Sequence, residues 1–302
     1  AQGMFLAKSL LKNSRSAIVR RPTIQSQNSW MQILTKCKEN VQRKISPLMT
    51  KKKQAQPSLG IGAGGDPIKK IDLAAEKAIA DTLRKQGISF TLISEESGFK
   101  EYGKAPDRCY VTVDPIDGST NLTRQIPFYA TSIAVSPKPT LETVYAALVA
   151  DLCRNAVYTA QRNQGAYCNG IKIRPSKNVS LEDAVIGVDI NTFKINELIG
   201  SFSNLAKKTK HIRHLGANAL ELCYVADGKS DAFVDIRGKL RTTDVAAAYL
   251  VIKESGAKMT NINGKPLKAR LDPKRTVSFV AAANMAMHKN VLSLVRREKE
   301  KR

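Results

Sequence analysis

Acidic side chains occur at three places in the sequence where an apolar stretch ends or a helix-forming stretch begins. Glu95 and Glu96 follow the stretch SFTLIS, and Asp114 and Asp117 end the segment CYVTVDPID. Asp244 lies at the start of the helix-forming segment TDVAAAYLVIKES. In open α/β folds, ligands bind beyond the carboxyl ends of the strands. We therefore expect these carboxylates to meet at one site.

Carboxylates that meet at one place repel one another unless cations neutralise them. Oxygen ligands alone favour Mg²⁺, Mn²⁺ or Ca²⁺ over Zn²⁺, and the sequence has only three histidines. Its five cysteines are scattered, which is typical of buried thiols in a reducing compartment rather than of a disulfide framework. Because bound Mg²⁺ keeps coordination positions for water and phosphate oxygens, the pattern predicts metal-assisted hydrolysis of phosphate esters.

The residues that follow Asp117 are suited to holding an anion. Gly118 lets the backbone approach a ligand closely, and Ser119 and Thr120 favour the start of a helix, whose free N–H groups attract phosphate. A hydrogen bond between Ser119 and Asp72 would orient the attacking water. The alternative for DPIDG taken alone is an ordinary turn with no ligand.

The spacing of apolar residues predicts the elements that position these side chains. Helices are expected over 31–49, 70–87, 194–209, 216–226 and 243–255, with a final helix after VSFVAAAN. Strands are expected at SFTLI, CYVTV, ATSIAVS, ETVYAALVAD, NAVYTAQ, GAYCNGIKI, DAVIGVDI, DAFVDI and VSFVAAAN. This order indicates an α+β half over residues 31–180 that carries most metal ligands. An α/β half over residues 181–302 would complete the substrate site.

The segment GIGAGGDP contains G-x-G-x-x-G, the pattern of a dinucleotide-binding turn. A lysine run and Pro57 stand where that turn needs a strand, and positions 85 and 86, where an acid is needed, are Lys and Gln. We therefore expect a mobile glycine loop beside the active site instead of a dinucleotide site.

The net charge of +23 is concentrated near the amino terminus, where residues 1–60 contain twelve Lys or Arg and one acid. We expect residues 1–30 to be a basic, disordered extension outside the fold. One alternative is an organellar targeting segment, and another is a polyanion- or nucleic-acid-binding tail on a protein that is not an enzyme. No apolar run approaches the roughly 18 residues that span a bilayer. We therefore expect a cytoplasmic protein without a membrane partner or a specific nucleic-acid partner.

The segments SEES, DPIDGSTN and TDVAAA occur in the order and spacing of the inositol monophosphatase family, and the chain resembles that family from Met31 to about Arg296. GDPIKKID and VDIRGKLRTTD resemble especially the archaeal enzymes that accept both inositol phosphates and fructose 1,6-bisphosphate. The resemblance implies a layered α-β-α-β-α sandwich, two or three Mg²⁺ ions with Mn²⁺ as an alternative, lithium sensitivity and a homodimer.

The resemblance also implies roles for individual residues. The metal ligands would be Glu95, Asp114, the main-chain carbonyl of Ile116, Asp117 and Asp244. The catalytic residues would be Asp72, Glu95 and Ser119. The substrate would contact Asp117, Gly118, Ser119, Arg213, Ala217, Asn218, Asp235 and Arg237.

The chain also departs from the family pattern, and the departures bear on the substrate. Thr243 replaces the tryptophan of the animal-type enzymes, and their inositol-binding glutamate has no counterpart. Arg237 and Arg241 would instead suit a second phosphate. The sequence thus predicts a Mg²⁺-dependent phosphomonoesterase for inositol monophosphate, fructose 1,6-bisphosphate or both. A 3′,5′-bisphosphate nucleotidase is the alternative within the same class.

Overall fold

A computed structural model describes residues 24–49, 59–67, 69–192, 196 and 198–296. Two amino-terminal helices, α1 (Ile24–Met49) and α2 (Lys70–Lys85), pack against each other. The buried face of α1 follows a three- and four-residue spacing through Leu34, Cys37 and Val41. The helix begins at Ile24, whereas the apolar spacing predicted a start at Met31. Residues 1–23, where most of the basic extension was expected, lie outside the described residues.

A mixed sheet of eight strands follows, with one short helix between its third and fourth strands. Its strands are β1 (Phe90–Ser94), β2 (Gly98–Tyr102), β3 (Tyr110–Asp117), β4 (Ala130–Ser136), β5 (Ala146–Asp151), β6 (Val157–Gln161), β7 (Gly165–Cys168) and β8 (Ile171–Lys172). Their order is β2-β1-β3-β4-β5-β6-β7-β8, and β1 pairs in parallel with β3. The short helix is α3 (Ser119–Arg124), and single 3₁₀ turns cover Pro106–Arg108 and Leu141–Thr143.

A second sheet of five strands forms the carboxyl-terminal part. Its strands are β9 (Val185–Val188), β10 (His211–Arg213), β11 (Ala232–Arg241), β12 (Lys258–Asn261) and β13 (Thr276–Ala282), in the order β10-β9-β11-β13-β12. The helices that accompany it are α4 (Ile199–Ala206), α5 (Asn218–Ala226), α6 (Thr242–Ser255) and α7 (Met285–Val295). Helix α4 is shorter than the predicted helix over 194–209, part of which lies outside the described residues. The short strands β2, β10 and β12 were not predicted.

The helices and sheets form five alternating layers, which confirms the predicted α-β-α-β-α sandwich. Helices α1 and α2 cover one face of the first sheet, α5 and α6 lie between the two sheets, and α4 and α7 cover the outer face of the second sheet. Strand alternation explains how each sheet serves two layers. On β11, Phe233 packs against the central helices, whereas Ala232 and Val234 face the outer ones.

Candidate active site

The predicted carboxylates converge in one cavity of about 810 Å³ between the two sheets. One oxygen from each of Glu95, Asp114 and Asp244 lies within 4.8 Å of the other two. Asp117 lines the same cavity, as does Ile116. The three segments that the sequence separates by up to 149 positions therefore meet, as predicted.

Sheet topology explains why the carboxylates meet. Strands β1 and β3 are parallel neighbours, so Glu95, just after β1, and Asp114, near the end of β3, lie at the same edge. The pairing of β3 with β4 shifts between Asp114 and Asp117, where three steps on β3 oppose two on β4. Alternation would point these two side chains to opposite faces, but a one-residue bulge turns both toward the cavity. Asp244 enters from the first turn of α6.

Asp117 joins the two sheets through the start of α5. Its carboxylate oxygens accept hydrogen bonds from the main-chain N–H groups of Asn218 at 2.9 Å and Ala219 at 2.8 Å. The amide of Leu220 also acts on this carboxylate. Because its two oxygens offer about four lone-pair sites, at least one is left for a cation. Burial, together with the charge of Asp244, raises the pKa of Asp117 to about 7, although these amides oppose that rise.

The cluster carries more negative charge than its protein surroundings neutralise. Burial and the neighbouring carboxylates hold the pKa of Asp114 and of Glu95 well above their ordinary values. Burial also raises the pKa of Asp244, and Arg241 opposes this only in part. Carboxylates so placed have a strong tendency to bind either protons or a cation. An oxygen-only donor set of this kind fits Mg²⁺, Mn²⁺ or Ca²⁺.

The glycine loop, residues 59–67, lies beside the cluster, which is where it was predicted. The N–H of Ala63 donates to the Glu96 carbonyl at 3.0 Å, and the N–H of Gly64 donates to the Glu95 carbonyl at 2.8 Å. Arg241 contacts the loop from the opposite side, since its Nε donates to the Gly64 carbonyl at 2.9 Å. No local pattern predicts this contact, because 177 positions separate the two residues.

Gly118 forms the turn between β3 and α3 and faces the cavity. Its φ of +85° is a left-handed conformation, and an added Cβ would lie 3.0 Å from the Phe128 carbonyl oxygen and 3.1 Å from the Ala217 Cβ. Both observations require glycine here. Asn121 then fixes α3 by donating to the carbonyls of Phe128 at 2.8 Å and Leu215 at 2.7 Å, a role that the sequence analysis missed.

The predicted hydrogen bond between Ser119 and Asp72 is replaced by contacts with Lys69. The Lys69 ammonium donates to Ser119 Oγ at 3.0 Å, and its main-chain N–H donates to Asp72 Oδ2 at 3.2 Å. Asp72 Oδ1 is buried without a hydrogen-bond partner. Burial raises the pKa of Asp72 to about 6, whereas the positive charge of Lys69 lowers it. The basic residue three positions before Asp72 was the available signal for this contact.

The residues predicted to contact the sugar do not all reach the cavity. Asn218 lines it, whereas Ala217 is fully buried beside it. Arg213 lines a separate, smaller cavity of about 200 Å³. Asp235 is fully buried, and Arg237 occupies both of its oxygens at 3.1 and 2.5 Å. The predicted substrate contacts of Arg213, Ala217 and Asp235 therefore find no support in this geometry, because their side chains face other partners.

Arg237 lies at the edge of a second cavity, of about 460 Å³, which shares Asp66, Asn191, Asn218, Arg241 and Asp244 with the first. Further lining residues that the sequence analysis did not single out are Ile126, Phe128, Arg154, Asn191 and His214. These residues lie in loops, and no sequence motif marks them, so they could not be predicted.

Comparison with known proteins supports the geometry. The Inositol monophosphatase family profile matches residues 30–300. A fructose-1,6-bisphosphatase/inositol-1-monophosphatase of Methanothermobacter thermautotrophicus is 35% identical over 272 residues, which cover 87% of this chain and 95% of the relative. A bifunctional NADP phosphatase/NAD kinase of Methanocaldococcus jannaschii is 32% identical over 87% of this chain, but the match covers only 50% of that protein.

A solved structure of an inositol monophosphatase-fructose 1,6-bisphosphatase superposes with a TM-score of 0.77 at 30% sequence identity, covering 88% of this chain and 99% of that one. Among the described residues, no helix has the length and apolar character that crossing a membrane requires. This chain belongs to the inositol monophosphatase family and is a phosphoric monoester hydrolase.

Proposed function

We propose that the protein is a Mg²⁺-dependent phosphatase that hydrolyses inositol monophosphate, fructose 1,6-bisphosphate or both through attack by water. The observation that carries the proposal is the approach of Glu95, Asp114 and Asp244 to within 4.8 Å of one another. These side chains would hold Mg²⁺, together with Asp117 and the carbonyl of Ile116. Two or three ions are expected, with Mn²⁺ as a substitute.

Bound Mg²⁺ would ionise the attacking water and stabilise negative charge on the transferred phosphoryl group. The chain itself supplies the remaining contributions. The main-chain N–H groups of Gly118 and Ser119, which line the cavity, would bind phosphate oxygens. Asp72 offers a buried, unpaired oxygen that can accept a proton from the attacking water, directly or through Ser119. Glu95, at the cavity wall, would hold the water in line.

The second cavity supports a substrate with two anionic groups. It opens beside the carboxylates, and the acidic side chains around Arg237 and Arg241 already pair with those two cations. Lys239 and Lys274, which also line it, would supply the positive charge for a second phosphate while another phosphate is cleaved at the cluster. Fructose 1,6-bisphosphate, which the archaeal relative's name includes, has this chemistry.

The experiment is a substrate panel with free phosphate as the readout, run with Mg²⁺, with Mn²⁺ and with EDTA. The substrates are inositol 1-phosphate, fructose 1,6-bisphosphate, adenosine 3′,5′-bisphosphate and NADP⁺. We expect Mg²⁺-dependent release from one or both sugar phosphates and inhibition by Li⁺. Asp117→Asn, which removes a proposed ligand, should lower kcat at least about 10³-fold while the protein stays folded. Release that is equally fast in EDTA would contradict the proposal.

A nucleotide phosphatase is a second candidate within the same chemistry. The basic second cavity and the NADP phosphatase relative both favour it. Faster release from adenosine 3′,5′-bisphosphate or NADP⁺ than from either sugar phosphate would assign the protein to this class.

The basic amino-terminal segment motivates a proposal of a different kind, binding of a polyanion. It predicts salt-dependent nucleic-acid binding that disappears when residues 1–56 are removed. We expect no sequence-specific binding of nucleic acid. If the protein without residues 1–56 binds nucleic acid as tightly as the full chain, the basic segment is not responsible for the binding. We also propose a homodimer, which the measured molar mass in solution will test.

A further inference from the structure

Arg241 contacts three of the elements that surround the carboxylate cluster. Its guanidinium donates to Glu95 Oε1 at 2.8 Å and to the Gly64 carbonyl at 2.9 Å, and it also pairs with Asp66. Its Nη1 lies 3.9 Å from Asp244 Oδ2, and its main-chain N–H donates to that same oxygen at 3.0 Å. The side chain is only 14% exposed. A single cation therefore links β1, the glycine loop and the start of α6.

The glycine loop is shaped to fit over this guanidinium. A Cβ added at Gly64 would lie 2.6 Å from Arg241 Nε, closer than any such contact can be. The N–H groups of Ala63 and Gly64 in the loop also donate to the main-chain carbonyls of Glu96 and Glu95, respectively. Arg241 thus binds the Glu95 side chain, and the loop binds the main chain of Glu95 and Glu96.

Arg241 and a divalent ion would share the same carboxylate. An ion held by Glu95, Asp114 and Asp244 would lie within a few ångströms of the guanidinium, because Nη1 already contacts two of these three residues. Two cations that close together repel each other strongly in a buried site. Glu95 is therefore the place where the protein's own cation and the metal compete.

We propose that Arg241 is a built-in counter-ion that competes with the divalent ion for Glu95. Its hydrogen bonds also hold the glycine loop against the carboxylate cluster, and we call this set of contacts the latch. Metal binding then loosens the latch, so that metal affinity and loop closure oppose each other. The inference rests on the proposed metal site. It assigns Arg241 as a positioning residue and not as a group that takes part in bond cleavage.

The test measures two quantities that the latch predicts will change together. Mn²⁺ and Mg²⁺ affinities are measured by calorimetry, and loop closure by hydrogen exchange of residues 59–67, in the full-length protein. In Arg241→Met, the metal dissociation constant should fall at least about tenfold, because a competing positive charge is gone, and exchange of the loop should rise. Arg241→Lys keeps the positive charge but loses the planar guanidinium with its several donors. Hydrogen exchange of the loop should therefore rise, with little change in metal affinity.

Two further variants test whether these changes come from the contact between Arg241 and the loop. Gly64→Ala displaces the loop from the guanidinium and should raise loop exchange in a protein that retains Arg241. Arg275→Met is the matched control, since Arg275 is an exposed cation directly before β13, the neighbour of β11. It should change neither quantity.

The outcomes separate the latch from the metal site itself. Weaker metal binding in Arg241→Met would overturn the latch and show that Arg241 only supports the ligands. Unchanged loop exchange in both Arg241 variants would overturn it as well. Absence of divalent-ion binding by the unmodified protein would instead overturn the proposed metal site, and the competition with it.

Discussion

Asp114→Asn should have opposite effects on stability with and without a divalent ion. The substitution keeps the side-chain volume and removes one charge from a carboxylate that is 4% exposed. At an effective dielectric constant of about 20, two unit charges 4.8 Å apart, the limit for Asp114 and its neighbours, repel by about 3.5 kcal/mol. Protonation, which the raised pKa of Asp114 indicates, and the charge of Arg241 relieve much of this repulsion. We therefore expect about 1–3 kcal/mol of stabilisation in EDTA.

Divalent ions should reverse the order of stability. An ion present at a thousandfold excess over its dissociation constant stabilises the folded protein by about 4.1 kcal/mol, more than the gain expected for the variant in EDTA. Asp114→Asn lacks a ligand and should lose most of that gain. The variant should thus unfold at a temperature roughly 2–6 °C higher than the unmodified protein in EDTA, but at a lower temperature in excess Mg²⁺.

The assay is thermal unfolding of both proteins in EDTA and in Mg²⁺, followed by calorimetry or intrinsic fluorescence. Asp107→Asn, on an exposed turn, is the charge-matched control and should leave both values unchanged. If Asp114→Asn destabilises the protein in EDTA and still gains as much from Mg²⁺ as the unmodified protein, the carboxylates do not share an ion, and the reasoning is refuted.

Three further predictions follow from the geometry. Gly118→Ala should cost about 1–2 kcal/mol from its left-handed φ of +85° alone, and because its Cβ also crowds the cavity floor, phosphate release should fall at least about tenfold. Lys69→Met, which loses the 3.0 Å hydrogen bond to Ser119, should lower kcat about ten- to hundredfold with little change in KM, and Lys69→Arg should restore part of it. Burial raises the pKa of Asp117 to about 7 and that of Glu96 to about 8, so the folded protein holds protons that the unfolded chain releases above about pH 4. Urea unfolding in EDTA should therefore show stability falling as the pH rises from about 4 to about 8, and Mg²⁺ should weaken the part of this dependence that comes from Asp117.

The helices, most of the strands and the carboxylate cluster could be predicted because their signals are local, whereas the layered arrangement was implied by the resemblance to the inositol monophosphatase family. Apolar periodicity identified the helix that carries Asp244, and runs of β-branched residues identified the strands before Glu95 and Asp114. Parallel pairing of those strands then brings their ends together without further information. The short strands β2, β10 and β12 were missed because three to five residues give too little periodicity to detect.

The contacts that tune the site could not be predicted, since they depend on which way long side chains point after folding. Arg237 was expected to meet substrate, but the two buried carboxylates of Asp189 and Asp235 bind its guanidinium at 2.6 and 2.5 Å. The carboxylate Asp235, also expected to meet substrate, is thereby neutralised inside the protein. Lys69 similarly takes the position expected for a direct contact between Asp72 and Ser119.

The hydrogen bonds from Asp117 to the first amides of α5 have a consequence for recombining this protein with its relatives. The carboxylate comes from the first sheet and its two N–H partners from the helix layer beneath the second, so a chimaera with a crossover between them mixes parents at this joint. Crossovers after residue 226 would keep carboxylate and amides from one parent. We expect such hybrids to fold more often than hybrids joined near residue 180, the border predicted from the sequence.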